Sequence, residues 1–470
     1  MFSKVIDMNI FFECRKCRSR FSTEFLRCPI CGGLLTANYD NLSWKPLNLN
    51  SIWRYSCLLP RNRTTIVTLG EGMTPIVEAN NLAKVLGVKK LYIKDETRNP
   101  TGSFVDRGIS VVVNNIEEDT KEIVCSTRGD TGASLAVYSA RIKLKARIYV
   151  PRDVDLGKLY IMLLSGADVR IVPDFLTATY LAETESMQTK VVMETLPSYI
   201  EGLKTISFEI FEQLNMNIPD IIIVPVGSGA LISAIWKGFE ELRKLNLLDN
   251  TPRLVGVQVE GADPITMLFN RMKLEKMSAK TLARDTELFI PGLAETALEA
   301  VRRSGGVMIS VSNTEIPRYI ELLARTEGII AEPSAVLSII AISRILNSFI
   351  DADSEVLAVI TGSGLRTPDV LRNLLPIEDM LRKVSEDIPR LATSRLGETK
   401  IQILTILKHK PLHGYGIKKE LANRYNKNLS TATIYQHLRE LENMGLVSRT
   451  RKVGKRGKVL YMVNNTKLLT

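Results

Sequence analysis

Between about Ser51 and Leu391 the chain alternates short apolar runs with stretches of helical periodicity. The runs at Leu91–Lys94, Glu122–Cys125, Arg147–Val150, Asp168–Val172, Ile221–Val224, Leu254–Val257 and Val356–Ile360 are near-continuously apolar or β-branched, the pattern of strands buried on both faces. The stretches Thr131–Ile142, Gly157–Ser165 and Leu231–Leu242 have the apolar spacing of helices between them. Buried strands separated by helices predict parallel sheets covered on both sides, an α/β body. Before this body lie two cysteine pairs, and after it a different pattern begins. Apolar residues recur at helical spacing over Ile401–Leu407, over Ile417–Ala422 and at Ile434, Leu438 and Leu441, and two β-prone runs follow. The chain therefore divides into residues 1–45, a body at 46–385, a linker at 386–397 and a tail at 398–470.

Charge sharpens that division. Of the 62 basic and 51 acidic residues, 16 and 4 fall between Ser394 and Thr470, so the tail carries the excess of +12 on a nearly neutral remainder. A basic module on a neutral body points to a nucleic-acid partner. With 45% hydrophobic and 24% charged residues, the 470-residue chain has the composition of globular domains rather than of a disordered or fibrous protein. No run of eighteen apolar residues occurs, and the stretch Ile221–Trp236 is broken by Pro225, Gly227 and Gly229. No membrane span and no signal peptide are expected, which predicts a cytoplasmic protein.

Four of the six cysteines form two C-x2-C knuckles, Cys14/Cys17 and Cys28/Cys31, with ten residues between them. Four thiolates satisfy tetrahedral Zn2+ and leave no open position, so the expected role is structural. Gly32 and Gly33 let the backbone turn back toward the metal.

Two glycine turns in the body link a strand to a helix. One is Gly227-Ser228-Gly229-Ala230, where free N–H groups at a helix start attract phosphate. The other is Thr127-Arg128-Gly129-Asp130-Thr131-Gly132. Together with Leu69-Gly-Glu-Gly-Met-Thr-Pro, Asn99-Pro-Thr-Gly-Ser-Phe-Val-Asp-Arg-Gly108, Glu201-Gly-Leu-Lys-Thr205 and Thr361-Gly-Ser-Gly-Leu-Arg, these turns resemble threonine synthase of the tryptophan-synthase-β group of pyridoxal-phosphate (PLP) enzymes. Cys28-Pro-Ile-Cys-Gly-Gly-Leu-Leu and Ser51-Ile-Trp-Arg-Tyr resemble the zinc ribbon and entry segment of archaeal-type members. The similarity runs from about residue 10 to 375. It implies a two-subdomain parallel-sheet body with PLP in the cleft. The resemblance would place the phosphate on Gly227, Ser228, Gly229 and Ala230, Asp130 near the ring hydroxyl, and Thr361 at the pyridine nitrogen. Ser126, Thr127, Arg128, Gly129 and Thr131 would line the loop for the substrate carboxylate.

One departure changes the picture. Where the family has a lysine that forms the Schiff base with PLP, this chain has Val105. A valine offers no amine for a covalent tether and no proton shuttle. Arg128 stands where a small hydroxyl residue is usual, and Ala230-Leu231 replaces a Gly-Asn pair. Three readings stay open: a site kept for non-covalent binding of PLP or another small anionic or amino-acid-like ligand, a substitute lysine such as Lys94 or Lys204, or a cleft without a ligand. Against an inactive homologue stands a working PLP-dependent threonine synthase or amino-acid lyase with a regulatory tail.

In the tail, His413-Gly-Tyr-Gly416 reads as a turn before the second helix, Ser430 as the N-cap of the third, and Gly445 as its stop. Thr431, Thr433, Gln436 and Arg439 fall off the apolar face of that helix, and Lys455, Arg456 and Lys458 crown a glycine-bounded hairpin. Helix-turn-helix plus basic hairpin is a winged helix whose third helix would enter the major groove. Pro411-Leu-His-Gly-Tyr-Gly-Ile-Lys-Lys-Glu-Leu and Thr433-Ile-Tyr-Gln-His-Leu-Arg-Glu-Leu-Glu-Asn-Met-Gly-Leu-Val resemble PadR-type transcriptional regulators. That resemblance implies a DNA-binding homodimer and, with the body, a ligand-responsive regulator.

Overall fold

A computed structural model describes residues 10–185, 189–273, 280–288, 291–351, 353–374, 396–451 and 459–464. It forms two compact units, Met1–Leu374 and Leu375–Thr470.

The first unit opens with β1 (Ile10–Cys14), β2 (Arg20–Phe21) and β3 (Leu35–Tyr39), a small antiparallel sheet in which β1 pairs with both others. Next come β4 (Ile76–Glu78), β5 (Lys90–Asp95), β6 (Glu122–Ser126), β7 (Lys145–Pro151), β8 (Asp168–Val172) and β9 (Lys190–Val192). The body closes with β10 (Ile221–Pro225), β11 (Arg253–Val259), β12 (Val307–Val311) and β13 (Glu355–Ile360). They make a six-stranded sheet in the order β12-β11-β10-β13-β5-β4 and a four-stranded sheet in the order β8-β7-β6-β9. Every neighbouring pair in both is parallel except β4 with β5.

Strand β10 shows why the apolar runs sit inside. Ile221 and Ile223 pack into the cluster beneath helix Leu337–Ile345, while Ile222 and Val224 join the opposite cluster with helix Ala230–Lys244. Side chains alternate between faces, so only a strand apolar at every position satisfies two cores. Each such buried side chain is worth about 1.5–3 kcal/mol. All seven expected strands and three expected helices are present, with boundary shifts of a residue or two. Strand β8 is corrected in one respect. It lies at a sheet edge with Asp168, Arg170 and Ile171 exposed, so it is not buried on both faces. The sequence pattern missed β4, β9 and β12: two are three residues long, and β12 is only half-buried.

The small antiparallel sheet is tied to the body by polar contacts. Arg15 pairs with Glu299 at 2.5 Å, Lys237 Nζ donates to Ala37 O at 2.6 Å, and the Tyr39 hydroxyl donates to Leu58 O at 2.6 Å and to Glu201.

The second unit has helices Glu398–His409, Gly414–Tyr425 and Thr431–Asn443, then an antiparallel hairpin of β14 (Val447–Arg451) and β15 (Val459–Val463). Ile434, Leu438 and Leu441 are fully buried in its core with Ile403, Ile417 and Tyr461. The middle helix starts at Gly414, not after a turn ending at Gly416. His413 caps it, Nδ1 accepting the Gly416 N–H at 3.2 Å. Gly414 is needed there because a Cβ would lie 2.6 Å from the Tyr435 ring.

In the body, helices Val105–Asn115 and Pro197–Leu203 approach so closely that a Cβ on Gly202 would lie 2.1 Å from Arg107 O. Gly202→Ala should therefore cost about 1–3 kcal/mol through overpacking. The measurement is urea unfolding, where the midpoint should fall at unchanged slope. An unchanged midpoint would disprove the close approach.

Candidate ligand cleft and DNA-binding face

The cleft lies at the C-terminal ends of the parallel strands, between the two sheets, as expected for open α/β folds. It is lined by Phe104 and Val105 at the start of helix Val105–Asn115, Thr127 to Thr131, Glu194, Pro225 to Ile232, Asp285, Thr286, Glu332, Ser334 and Thr361. The two glycine turns thus meet across one space. Of the sequence-predicted residues, Thr127, Arg128, Gly129, Asp130, Thr131, Gly227, Ser228, Gly229, Ala230 and Thr361 line it. Ser126 does not; it ends β6.

The chemistry of the cleft centres on a residue that the sequence did not single out. Lys158, on helix Leu156–Leu164, is fully buried. Its Nζ lies 2.7 Å from Asp130 Oδ1, 2.5 Å from Asp285 Oδ2, 3.4 Å from Asp155 Oδ2 and 3.6 Å from Glu332 Oε2. Gly129 makes room for it: φ is +150° and a Cβ would sit 2.6 Å from Lys158 Cδ. Gly362 does the same for Glu332, whose Oε1 would be 2.4 Å from a Cβ there. Arg366 grips Asp130 with both guanidinium nitrogens, at 2.8 and 3.2 Å, and the Ser103 hydroxyl donates to it at 2.9 Å.

Electrostatics follow from that packing. Burial disfavours the Lys158 ammonium, yet the Asp130, Asp285 and Glu332 carboxylates hold it protonated far above its usual range. Burial alone would raise Asp130, but Arg366 and Lys158 pull it below the usual carboxylate range. Burial, reinforced by the Asp130 charge, pushes Glu332 up to about 8. Asp155 rises to about 6, mainly through burial. Glu194 accepts from the Thr131 hydroxyl at 3.1 Å and from Ser228, and burial raises its carboxyl as well.

Several expectations change. Val105 lies 1% exposed, its side chain shared between cleft and core. Lys94 and Lys204 do not reach the cleft. Lys94 is buried against Glu209 at 2.7 Å, and Lys204 against Glu201 and Glu241. Arg128 is already placed 3.6 Å from Asp153 and 3.8 Å from Glu287, with Phe175 below its guanidinium at 5.5 Å. The lining carries four carboxyl groups, Asp130, Glu194, Asp285 and Glu332, of which Lys158 pairs with three and Arg366 with Asp130. The glycine turn keeps a left-handed Gly229, φ 92°, before helix Ala230–Lys244. The residues do not fit covalently held PLP, since the cleft-facing amine at 105 is missing and Lys158 is engaged by carboxylates. Asp130, Asp285 and Glu332 also stand close enough to hold a metal ion, but the Lys158 ammonium is in contact with all three.

Near the N-terminus the four thiols come together, with Cys14 Sγ 3.4 Å from Cys31 Sγ and Cys17 Sγ 3.6 Å from Cys28 Sγ. These spacings and this donor set fit a tetrahedral zinc ion.

Residues 67–362 match the family described as pyridoxal-phosphate dependent enzyme. The threonine synthase of Methanocaldococcus jannaschii is 39% identical over 376 residues, covering 76% of this chain and 93% of that protein. The chain belongs to the pyridoxal-phosphate-dependent enzyme family. Within this family, the threonine synthase of Methanosarcina acetivorans is 36% identical over the same length and coverage, 376 residues, 76% and 93%. The family fold is also seen in a fungal L-serine ammonia-lyase from Rhizomucor miehei, with a TM-score of 0.56, 22% identity, and coverage of 64% of this chain and 97% of that one. The Escherichia coli diaminopropionate ammonia lyase gives 0.57 at 17% identity, covering 66% and 89%. Residues 403–466 match the transcriptional regulator PadR-like family, so this member of the PLP-dependent family carries a PadR-like domain at its C-terminus.

On that domain Thr431, Gln436 and Arg439 are exposed along helix Thr431–Asn443. Thr433 is half-buried and belongs to the cap: its N–H donates to Ser430 Oγ at 3.1 Å, and the two hydroxyls are 2.8 Å apart. Lys455, Arg456 and Lys458 lie outside the described residues. The acidic lining residues Glu194, Asp285 and Glu332 were missed from sequence, as was Lys158, which contacts the last two from outside the lining. Glu332 left one trace, an acid directly after the apolar run Ile329-Ile330-Ala331.

Removing the central ammonium should be costly. Lys158→Met would leave buried carboxylates uncompensated and is expected to destabilise the body by about 3–5 kcal/mol. Chemical denaturation of the full chain checks this; a change below about 1 kcal/mol would show that the cluster is not held by Lys158.

Proposed function

We propose that the protein is a ligand-responsive, DNA-binding transcriptional regulator whose body is a threonine-synthase-like module without catalytic function. The single observation that carries this reading is a coincidence within one chain: Val105 stands in the cleft where the family's lysine is expected, and a PadR-like domain follows. The cleft would hold a small amino-acid-like ligand, or PLP without a covalent bond, through Thr127 to Thr131 and the Gly227–Ala230 turn. Zinc on the four thiols would fix the N-terminal module. Thr431, Gln436 and Arg439 would meet base edges, with Lys455, Arg456 and Lys458 on phosphates. The protein would act in the cytoplasm as a homodimer, because two recognition helices about 34 Å apart match successive major grooves. A ligand that altered this spacing would alter affinity for DNA by the same free energy that DNA returns to the ligand.

Deleting residues 394–470 should abolish DNA binding in gel-shift assays, and the intact chain should lose affinity steeply with salt, by about 0.9 log unit per log unit of salt for each phosphate contacted. Retention of binding by the truncated chain would contradict the proposal. Borohydride treatment in the presence of PLP should trap no adduct on a cleft lysine, and O-phosphohomoserine should not be consumed. A trapped lysine together with turnover would establish instead a working enzyme with a regulatory tail. Chelation of the metal, followed by atomic absorption, should release one zinc per chain and lower the melting temperature.

A further inference from the structure

We propose that Glu194 keeps phosphate out of the cleft, so that the body takes a ligand without a phosphate group. This rests on the reading of the body as a ligand-binding module. Of the two ligand classes open to that module, an amino-acid-like molecule or PLP, it selects the one without phosphate.

Glu194 lies between β9 and helix Pro197–Leu203, where it reaches both glycine turns. Its Oε1 accepts the Thr131 hydroxyl at 3.1 Å, and its Oε2 accepts the Ser228 hydroxyl. One carboxyl group thus bridges the two turns. Ser228 belongs to the turn before helix Ala230–Lys244, and its Oγ accepts the Ala230 N–H at 3.4 Å. A phosphate at a helix start draws on such N–H and hydroxyl donors. A serine hydroxyl has one proton to give, and here Glu194 takes it. A phosphate oxygen arriving at Ser228 would stand one hydroxyl group away from the carboxylate.

Charge decides the contest. A helix start carries about +0.5 elementary charge, whereas a phosphate ester brings about −1.5 to −2 and an ionised carboxylate adds a full negative charge beside it. Balance would need a cation at the turn. Among the described residues the lining holds one, Arg128, and Asp153 at 3.6 Å and Glu287 at 3.8 Å face it. The glycines of the turn answer to packing. A Cβ on Gly229 would lie 2.8 Å from Leu293 O, and one on Gly227 would lie 3.0 Å from Asp285 O, so close backbone approach accounts for both. The turn keeps its glycines while its hydroxyl donor and its local field are set against an anion.

The test uses the full-length protein with pyridoxine 5'-phosphate and pyridoxine, which differ only by the phosphate and have no aldehyde to react with surface lysines. Isothermal titration calorimetry should show the wild type binding the phosphate ester no more tightly than pyridoxine. Glu194→Gln, which keeps the shape and removes the charge, should raise affinity for the phosphate ester by about tenfold or more, the scale of a hydrogen bond to a charged group, and leave pyridoxine nearly unchanged. If that variant does not fold, Glu194→Ser carries the same expectation. A wild type that prefers the phosphate ester, or a folded variant without the gain, would overturn the inference. A wild type that bound the ester tightly and changed its DNA affinity in response would defeat the role of Glu194 and leave the regulator reading standing. The expected binding pattern in a chain that does not bind DNA would do the reverse.

Discussion

A fully buried ammonium must be surrounded by negative charge, and Lys158 is the point on which the charge balance beside the cleft depends. Its partners come from separate segments. Asp130 opens a helix on the four-stranded sheet, Asp155 precedes the lysine's own helix, Asp285 sits in the turn Arg284–Thr286, and Glu332 lies shortly before helix Leu337–Ile345. No local propensity brings these four together. The attraction has to offset a desolvation penalty of several kcal/mol per ion, so the geometry holds only while all the partners are present. The cluster joins the helix that follows β7 to segments beside the six-stranded sheet.

The frame of the body was readable because it is hydrophobic. Ile221–Pro225 and Val356–Ile360 are apolar at nearly every position, and only a strand with a core on each face calls for that. The same logic marked Ile434, Leu438 and Leu441 as one face of a helix. It failed where polarity and depth part company. Lys158, Asp285 and Glu332 are charged residues in or near the interior, and a pattern that sends charge outward cannot place them. It failed also at β8, where Val169 and Ile171 look like core residues yet belong to an open edge. Thr433 looked free to touch a groove because its spacing put it off the apolar face; capping claims it instead. The cofactor turns were legible as motifs, but their electrical surroundings were not. Which groups face them depends on residues 30 to 200 positions away in the chain.

Two departures in the body reinforce each other. Loss of the amine at Val105 removes one positive charge from a cleft already rich in carboxylates, and Arg128 does not restore it because Asp153 and Glu287 hold it at the wall.

Gly129 and Gly362 give this architecture an unusual kind of fragility. Each leaves a volume that a charged side chain from elsewhere occupies, Lys158 in one case and Glu332 in the other. A methyl group at either position would do more than crowd a neighbour; it would evict an ion from the lattice that balances it. The least chemically endowed residues in the cavity thereby act as its guarantors of neutrality, and genetic variation there would be felt as a shift in voltage rather than as a dent in shape.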